Sequence, residues 1–191
     1  CSVVFAVSWV DCTQATADPL YTTLWSMGGC TASLEDVGAL ALPLAWEEGQ
    51  WWRVATAGFA HGSWVHVVLN MWSVWVIGPW AERAWGSGRA AVVFAASSVG
   101  GCLASVAWAE APLVVGASAG ILGLAGGLWV SRGWGSAEVR QRIDAVSTRG
   151  LGTMLALMVA LGFFVPVIAQ AGHVGGLGFG VALGWLLSRP L

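Results

Sequence analysis

The sequence predicts an all-α polytopic membrane protein that forms a single domain over residues 1–191. Hydrophobic residues make up 57% of the chain and charged residues only 9%, whereas about a quarter of the residues are charged in ordinary soluble domains. Several apolar stretches approach the roughly 20 residues that a helix needs to cross a bilayer. The 27 glycines and 14 tryptophans fit this class, because glycine lets membrane helices pack closely and tryptophan favours the membrane–water interface.

Five membrane helices are predicted between residues 63 and 188. Residues 1–10 are apolar but too short to span, so they are either an interfacial segment or the stub of a first helix, and completing that helix gives six. Residues 11–61 form a predicted polar outer loop. Short turns at 109–112 and at Gln170–Gly172 make their flanking helices antiparallel neighbours. The predicted helices cover about 63–81, 89–108, 113–131, 151–170 and 172–188.

The distribution of arginine predicts the orientation of these helices. All eight basic residues are arginine, and alternating helices place seven of them on one side of the membrane and only Arg53 on the other. By the positive-inside rule the arginine-rich side is cytoplasmic. We therefore expect an integral, multi-pass protein of the bacterial plasma membrane, with the 11–61 loop outside and the C-terminus in the cytoplasm.

Charge and cysteine usage exclude several classes of function. The formal net charge is −2 and the arginines are scattered, which does not favour nucleic acid as a partner. The four cysteines lack metal-ligand spacing, and Cys12 and Cys30 could pair if their loop faces an oxidising compartment. The chain also lacks the His-Glu-x-x-His motif of zinc proteases. We expect neither a metal nor a cofactor.

Polar side chains recur at a similar depth in three apolar segments. His66, Ser118 and His173 each lie within a turn or two of the predicted outer end of a helix. Asn70 follows His66 by four residues and therefore projects from the same helix face. An unpaired polar group in hydrocarbon costs about 1–3 kcal/mol. Their shared depth therefore indicates a site.

Glycines would allow the helices of Ser118 and His173 to approach each other. If their small-residue stripes pack together, the His173 imidazole can take the Ser118 proton during attack on a carbonyl. Backbone N–H groups near Ser118, with the side chains of His66 and Asn70, would stabilise the resulting oxyanion. No acidic residue lies near His173 in these segments, so a dyad is predicted rather than a triad. The stripes comprise Gly172, Gly176, Gly180 and Gly184 on one helix, and Gly116, Ala119, Gly120, Gly123 and Gly127 on the other.

The order and spacing of these residues resemble the rhomboid family of intramembrane serine proteases. The resemblance extends over nearly the whole chain from about Trp51 onward. It implies a rhomboid-like six-helix bundle, with the first helix truncated in this chain. The motifs that carry the resemblance are Trp52-Arg53, His61…His66…Asn70, Gly78…Glu82…Gly86, Gly116-Ala-Ser118 and His173-Val-Gly-Gly176-Leu-Gly-Phe-Gly180.

The resemblance also implies roles for individual residues. Ser118 corresponds to the nucleophile and His173 to the general base, while His66, Asn70 and the Ser118 backbone amide correspond to the oxyanion donors. The implied partners are the lipid bilayer and membrane-protein substrates, single-pass or polytopic, cut near their outer end in a site that water reaches from outside. The supporting residues are Gly116, Ala119, Gly120, His61 and Gly176; we interpret His61 as structural.

Two positions depart from the family pattern. The family usually has glycine directly after the nucleophile, where this chain has Ala119, whose methyl group would crowd the oxyanion or restrict the backbone. Four residues after the nucleophile an aromatic side chain often stacks on the catalytic histidine. Here that residue is Leu122, which would hold His173 less firmly.

Two other functions compete with a protease. Ionisable residues inside membrane helices also mark small transporters, but here no acidic residue lies away from the ends of the segments and no inverted repeat is visible. The second alternative is a catalytically inactive rhomboid-like protein that binds membrane clients. Ala119 favours that alternative, whereas the presence of both Ser118 and His173 opposes it.

Overall fold

The computed structural model describes residues 31–108, 113–164 and 169–189. The apolar segment over residues 1–10, interpreted as an interfacial segment or a helix stub, and Cys12 and Cys30, whose pairing the sequence left open, lie outside these residues. The described residues form two compact units. The first unit contains residues 31–72 and 113–117, and the second contains residues 73–108, 118–164 and 169–189.

The first unit consists of short elements and the start of one long helix. Its two strands pair antiparallel, with Leu40 opposite Val114 and Ala41 opposite Leu113. A 3₁₀ turn at Ala57–Phe59 precedes the long helix, α4, which begins in this unit and ends in the second. The elements are α1 (Thr31–Asp36), β1 (Leu40–Ala41), α2 (Leu42–Trp46), α3 (Arg53–Thr56), α4 (Trp64–Trp85) and β2 (Leu113–Val114).

The described part of the predicted outer loop over residues 11–61 contains three short helices. Arg53 explains much of this order. The buried Arg53 side chain donates hydrogen bonds to the carbonyl oxygens of Glu35 (2.5 Å) and Ala39 (2.9 Å) and to Gln50 Oε1 (2.7 Å). Since a buried cation needs several acceptors, Arg53 ties three parts of the segment together.

The second unit contains the end of α4 and the remaining helices. Five of them overlap the predicted apolar segments with shifted bounds, and a short helix at Ala137–Arg142 lies between two of these segments. Two of the shifts matter for the site. The predicted 113–131 helix begins only at Ser118, because Leu113 and Val114 pair with β1 and Gly116 has a φ of +105°. The predicted Gln170–Gly172 turn is instead the first turn of a helix. The helices are α5 (Ser87–Trp108), α6 (Ser118–Trp134), α7 (Ala137–Arg142), α8 (Thr148–Phe164) and α9 (Gln170–Leu187).

Glycines set the packing of α9 against α6. A Cβ atom on Gly180 would overlap the backbone of Gly123, and one on Gly184 would overlap the backbone of Gly127. These parts of the two glycine stripes that the sequence analysis singled out thus face each other, as expected for close-packed membrane helices. At one end of these helices the Trp85 indole donates to Ser131 Oγ and Ser188 Oγ, both at 3.2 Å.

The helices of the described residues differ in whether they are long and apolar enough to cross a membrane. Among these residues, α5 is the helix that is both long and apolar enough to cross a bilayer. Helix α8 is also apolar but has 17 residues. Large apolar side chains are exposed on the second unit, including Trp75 (75% exposed), Phe163 (74%) and Phe164 (82%).

Candidate active site

Ser118 and His173 are brought together by helices α6 and α9. The distance from His173 Nε2 to Ser118 Oγ is 2.8 Å, within hydrogen-bond range, and both side chains are half-buried. Ser118 is the first residue of α6, where backbone N–H groups lack helical acceptors and the helix dipole favours negative charge. A hydroxyl beside an imidazole at such a position is the arrangement of a nucleophile and its general base.

Close backbone contacts allow this approach. A Cβ atom on Gly176 would lie 2.8 Å from the Ala119 Cα atom, so only glycine lets α9 come this near to the residue after Ser118. A Cβ atom on Gly101 of α5 would lie 2.5 Å from the carbonyl oxygen of Gly172. The segment of α9 around His173 is therefore held against both α5 and α6.

The methyl group of Ala119 has a defined place in this packing. A Cβ atom on Gly101 would lie 2.6 Å from the Ala119 methyl carbon, so the absence of a side chain at Gly101 makes room for it. Gly120, the next residue, fits against α5 in the same way, because a Cβ atom there would lie 2.8 Å from the Phe94 ring. The departure from glycine at position 119 is thus accommodated by a glycine on α5.

The other ring nitrogen of His173 has no hydrogen-bond partner in the described part of the chain. His173 Nδ1 is buried, and no donor or acceptor in the described residues reaches it. Within the described part of the chain, the pair therefore lacks an acidic third member that would orient the imidazole. Leu122, which stands where the family often has an aromatic residue, is buried (4% exposed).

The first unit contains the predicted His61, His66 and Asn70. His61 is fully buried, its Nδ1 lies 3.2 Å from the Phe59 carbonyl oxygen, and its ring contacts the His66 ring edge-on with 5.1 Å between centroids. Burial lowers the pKa of His61 below its usual value, because desolvation disfavours the charged imidazolium. His61 thus lies, buried, at the junction between the preceding segment and α4.

Gly116 lies beside His66 and Asn70 in the same unit. A Cβ atom on Gly116 would lie 2.6 Å from His66 Cε1 and Nε2 and 3.4 Å from Asn70 Nδ2. The Gly116 N–H donates to the Ala57 carbonyl oxygen at 3.0 Å, which helps to hold its positive φ. Asn70 is 6% exposed, and its Nδ2 has no acceptor among the described residues.

The structure thus sorts the predicted site residues into two groups. The second unit unites Ser118 and His173 with Ala119, Gly120 and Gly176. The first unit unites His66 and Asn70 with His61 and Gly116. Sequence analysis missed Gln170, which it placed in a turn and which is instead buried in the first turn of α9. The signal that could have found it is an uncharged polar side chain within an apolar stretch.

Replacing Gly116 by alanine is expected to destabilise the folded protein by about 3 kcal/mol or more. The positive φ of +105° costs a non-glycine residue about 1–3 kcal/mol, and the new methyl group would also collide with the His66 ring. Gly49→Ala is the matched control, because Gly49 also has a positive φ (+69°) but nothing lies near its Cβ position. Thermal unfolding in detergent measures both. Equal losses would show that the His66 contact is unimportant.

The fold and the site define a mostly helical protein with a candidate serine–histidine dyad. The chain belongs to the rhomboid family: residues 48–190 match the model of the rhomboid domain. It is 28% identical over 161 residues to RHOMBOID-like protein 6, mitochondrial, of Arabidopsis thaliana, a match covering 84% of this chain and 52% of the relative. Rhomboid protease GluP of Bacillus subtilis is 31% identical over 132 residues, covering 68% and 25%.

A further relative carries a different designation. Inactive RHOMBOID-like protein 8 of Arabidopsis thaliana is 25% identical over 152 residues, a match covering 78% of this chain and 42% of the relative. The chain thus spans between a quarter and about half the length of these three relatives. Rhomboid proteins are integral membrane proteins, and the family includes serine proteases.

Proposed function

We propose that this chain is an intramembrane serine endopeptidase that hydrolyses a peptide bond near the outer end of transmembrane substrates. The observation that carries the proposal is the 2.8 Å distance between His173 Nε2 and Ser118 Oγ in a chain of the rhomboid family. A small transporter needs no such pair. The proposal requires neither a cofactor nor a metal.

In the proposed mechanism Ser118 is the nucleophile and His173 transfers the protons. As Ser118 Oγ attacks the substrate carbonyl carbon, His173 Nε2 accepts the hydroxyl proton and then donates it to the departing amine nitrogen. The C–N bond breaks and an acyl-enzyme ester remains on Ser118. Water then attacks this ester, with His173 again as the base, which releases the carboxylic acid product and restores the hydroxyl group.

The oxyanion of each tetrahedral intermediate needs preorganised donors. We assign this role to the Ser118 backbone amide at the start of α6 and to the side chains of His66 and Asn70. Asn70 supports the assignment, since a buried amide donor without an acceptor among the described residues costs free energy unless a ligand uses it. Gly116 is a supporting residue because it keeps space open beside both side chains, and Ala119, Gly120, Gly176 and His61 support the surrounding backbone.

A bilayer is the proposed environment of the protein. The exposed Trp75, Phe163 and Phe164 side chains would favour aggregation in water but are compatible with lipid. The arginine distribution favours a C-terminus in the cytoplasm and a site that opens to the outer face of a bacterial plasma membrane. The proposed architecture is a rhomboid-like bundle of six membrane helices. The proposed substrates are single-pass or polytopic membrane proteins.

Labelling with a fluorophosphonate probe tests the proposal directly, since such probes react with activated serines. The detergent-solubilised protein is expected to be labelled, and both Ser118→Ala and His173→Ala should abolish the label. Ser98→Ala is the control, because Ser98 donates to the Phe94 carbonyl oxygen on α5 and has no place in the chemistry. A folded wild-type protein that is never labelled would contradict the proposal and favour an inactive, client-binding rhomboid.

A further inference from the structure

Gln170 is a buried polar residue at the start of the helix that carries His173. It is the first residue of α9, lies three residues before His173 and is 5% exposed. Its Nε2 donates a hydrogen bond to the Val159 carbonyl oxygen of α8 at 2.8 Å. Its Oε1 is buried and has no hydrogen-bond partner among the described residues. An apolar side chain of similar volume would avoid that unpaired atom, so the amide needs an explanation beyond packing.

The amide fits because of a glycine on α8. A Cβ atom on Gly162 would overlap Gln170 Oε1 and would lie 2.6 Å from the side-chain carbonyl carbon, Cδ. Gly162 follows Val159 by three residues, so the acceptor and the open space lie on the same face of α8. The Val159 carbonyl oxygen and the space at Gly162 together accommodate one carboxamide group.

Few side chains in the described part of α8 are buried. Leu155 is its buried side chain among those described, whereas Leu161, Phe163 and Phe164 towards its end are exposed. The Gln170 bond therefore supplies a directional link between α9 and the second half of α8. The other faces of this part of α9 meet α5 at Gly172 and α6 at Gly176.

The imidazole depends on the backbone that carries it. His173 Nε2 meets Ser118, but no described residue binds Nδ1, so no side-chain bond on that nitrogen fixes the ring. The position of the ring relative to Ser118 Oγ then follows the position of the first turn of α9. Misplacement of a reacting group by about 1 Å can cost about 10²-fold in rate.

We propose that Gln170 is a positioning residue, which holds the first turn of α9 through the Val159 carbonyl and thereby keeps His173 within reach of Ser118. The inference rests on the proposed function, because it concerns the reactivity of the proposed nucleophile. In this proposal Gly162 also has a role, because the absence of a side chain there leaves room for the Gln170 carboxamide.

A double-mutant cycle between Gly162 and Gln170 tests this inference. Each protein reacts with a fluorophosphonate probe, and the dependence of the labelling rate on probe concentration separates the maximal rate from the probe affinity. Gln170→Met, which keeps the volume but removes the donor, and Gly162→Ala, which displaces the carboxamide, should each lower the maximal rate by about 10- to 100-fold. Probe affinity should change by less than about threefold, because neither variant removes a group that contacts the probe.

The double variant G162A/Q170A provides the decisive comparison. It should label no more slowly than Q170A alone, because the alanine methyl group enters space that the carboxamide has left. Gly178→Ala is the matched control on α9, since nothing lies near its Cβ position, and it should label at the wild-type rate. Thermal unfolding of every variant identifies losses that come from unfolding.

The possible failures are distinguishable. Wild-type labelling at the full rate in Gln170→Met, or fully additive effects of G162A and Q170A, would overturn the positioning role and leave the proposed function intact. Absence of labelling in the folded wild-type protein would overturn the proposed function, and the positioning role with it.

Discussion

Replacing Ser118 by alanine is expected to lower the rate of substrate cleavage by on the order of 10⁴- to 10⁶-fold. The hydroxyl group is the proposed nucleophile, and no acyl-enzyme can form without it. The methyl group of alanine fits where the serine side chain is half-buried, so the variant should keep its thermal stability. The measurement is cleavage of a transmembrane reporter that the wild-type protein cuts, with both proteins reconstituted in liposomes.

His173→Ala should cause a loss of similar size, because the serine is not deprotonated efficiently without the imidazole at 2.8 Å. The double variant should be no slower than either single variant, since residues that act as one unit give non-additive effects. His66→Ala or Asn70→Ala should have smaller effects, about 10²- to 10³-fold, as expected for one oxyanion donor. Full cleavage by Ser118→Ala would refute the assignment of the nucleophile.

Replacing Gly180 by alanine is expected to have the largest effect on stability among the glycine variants of α9. The new methyl group would overlap the Gly123 backbone in α6, and backbone atoms cannot move aside as a flexible side chain can. Overpacking a close-packed contact costs about 1–3 kcal/mol, and more where the backbone must shift. The separation of α6 and α9 should increase, which would also weaken the Ser118–His173 contact.

The control for this variant lies two residues away. Nothing lies near the Cβ position of Gly178, so Gly178→Ala should be neutral or should stabilise the helix by up to about 1 kcal/mol, because alanine is the better helix former. The two substitutions are chemically identical and are expected to differ in sign. Denaturant or thermal unfolding in detergent measures both. Equal stability of the two variants would contradict the close approach of α6 and α9.

Local patterns in the sequence were sufficient to place most of the helices. Apolar runs report helices directly, because each residue contributes independently of distant partners. The recurrence of glycine every four residues predicted which face of α9 would approach α6, and the structure places Gly180 and Gly184 against that helix. Family motifs around Ser118 and His173 added the expectation that these two side chains would meet, and they lie 2.8 Å apart.

Contacts between distant parts of the chain decided the remaining features. The helix of Ser118 begins five residues later than the apolar pattern predicted, because Leu113 and Val114 pair with β1 and Gly116 bonds to the Ala57 carbonyl. In the segment before α4, Arg53 binds acceptors that lie up to 18 residues away. Neither effect leaves a periodic signal in the local sequence.

Two side chains show most clearly what the sequence by itself determined and what only the tertiary structure decided. Residue identity alone indicated that Ala119 departs from the family pattern, but only packing shows that Gly101 makes room for its methyl group. The sequence predicted a turn at Gln170. In the structure Gln170 lies in the first turn of α9 and its side chain donates to the Val159 carbonyl oxygen. The physical reason is that propensity and hydrophobicity are properties of neighbouring residues, whereas hydrogen-bond partners and available space belong to residues that meet only in the folded chain.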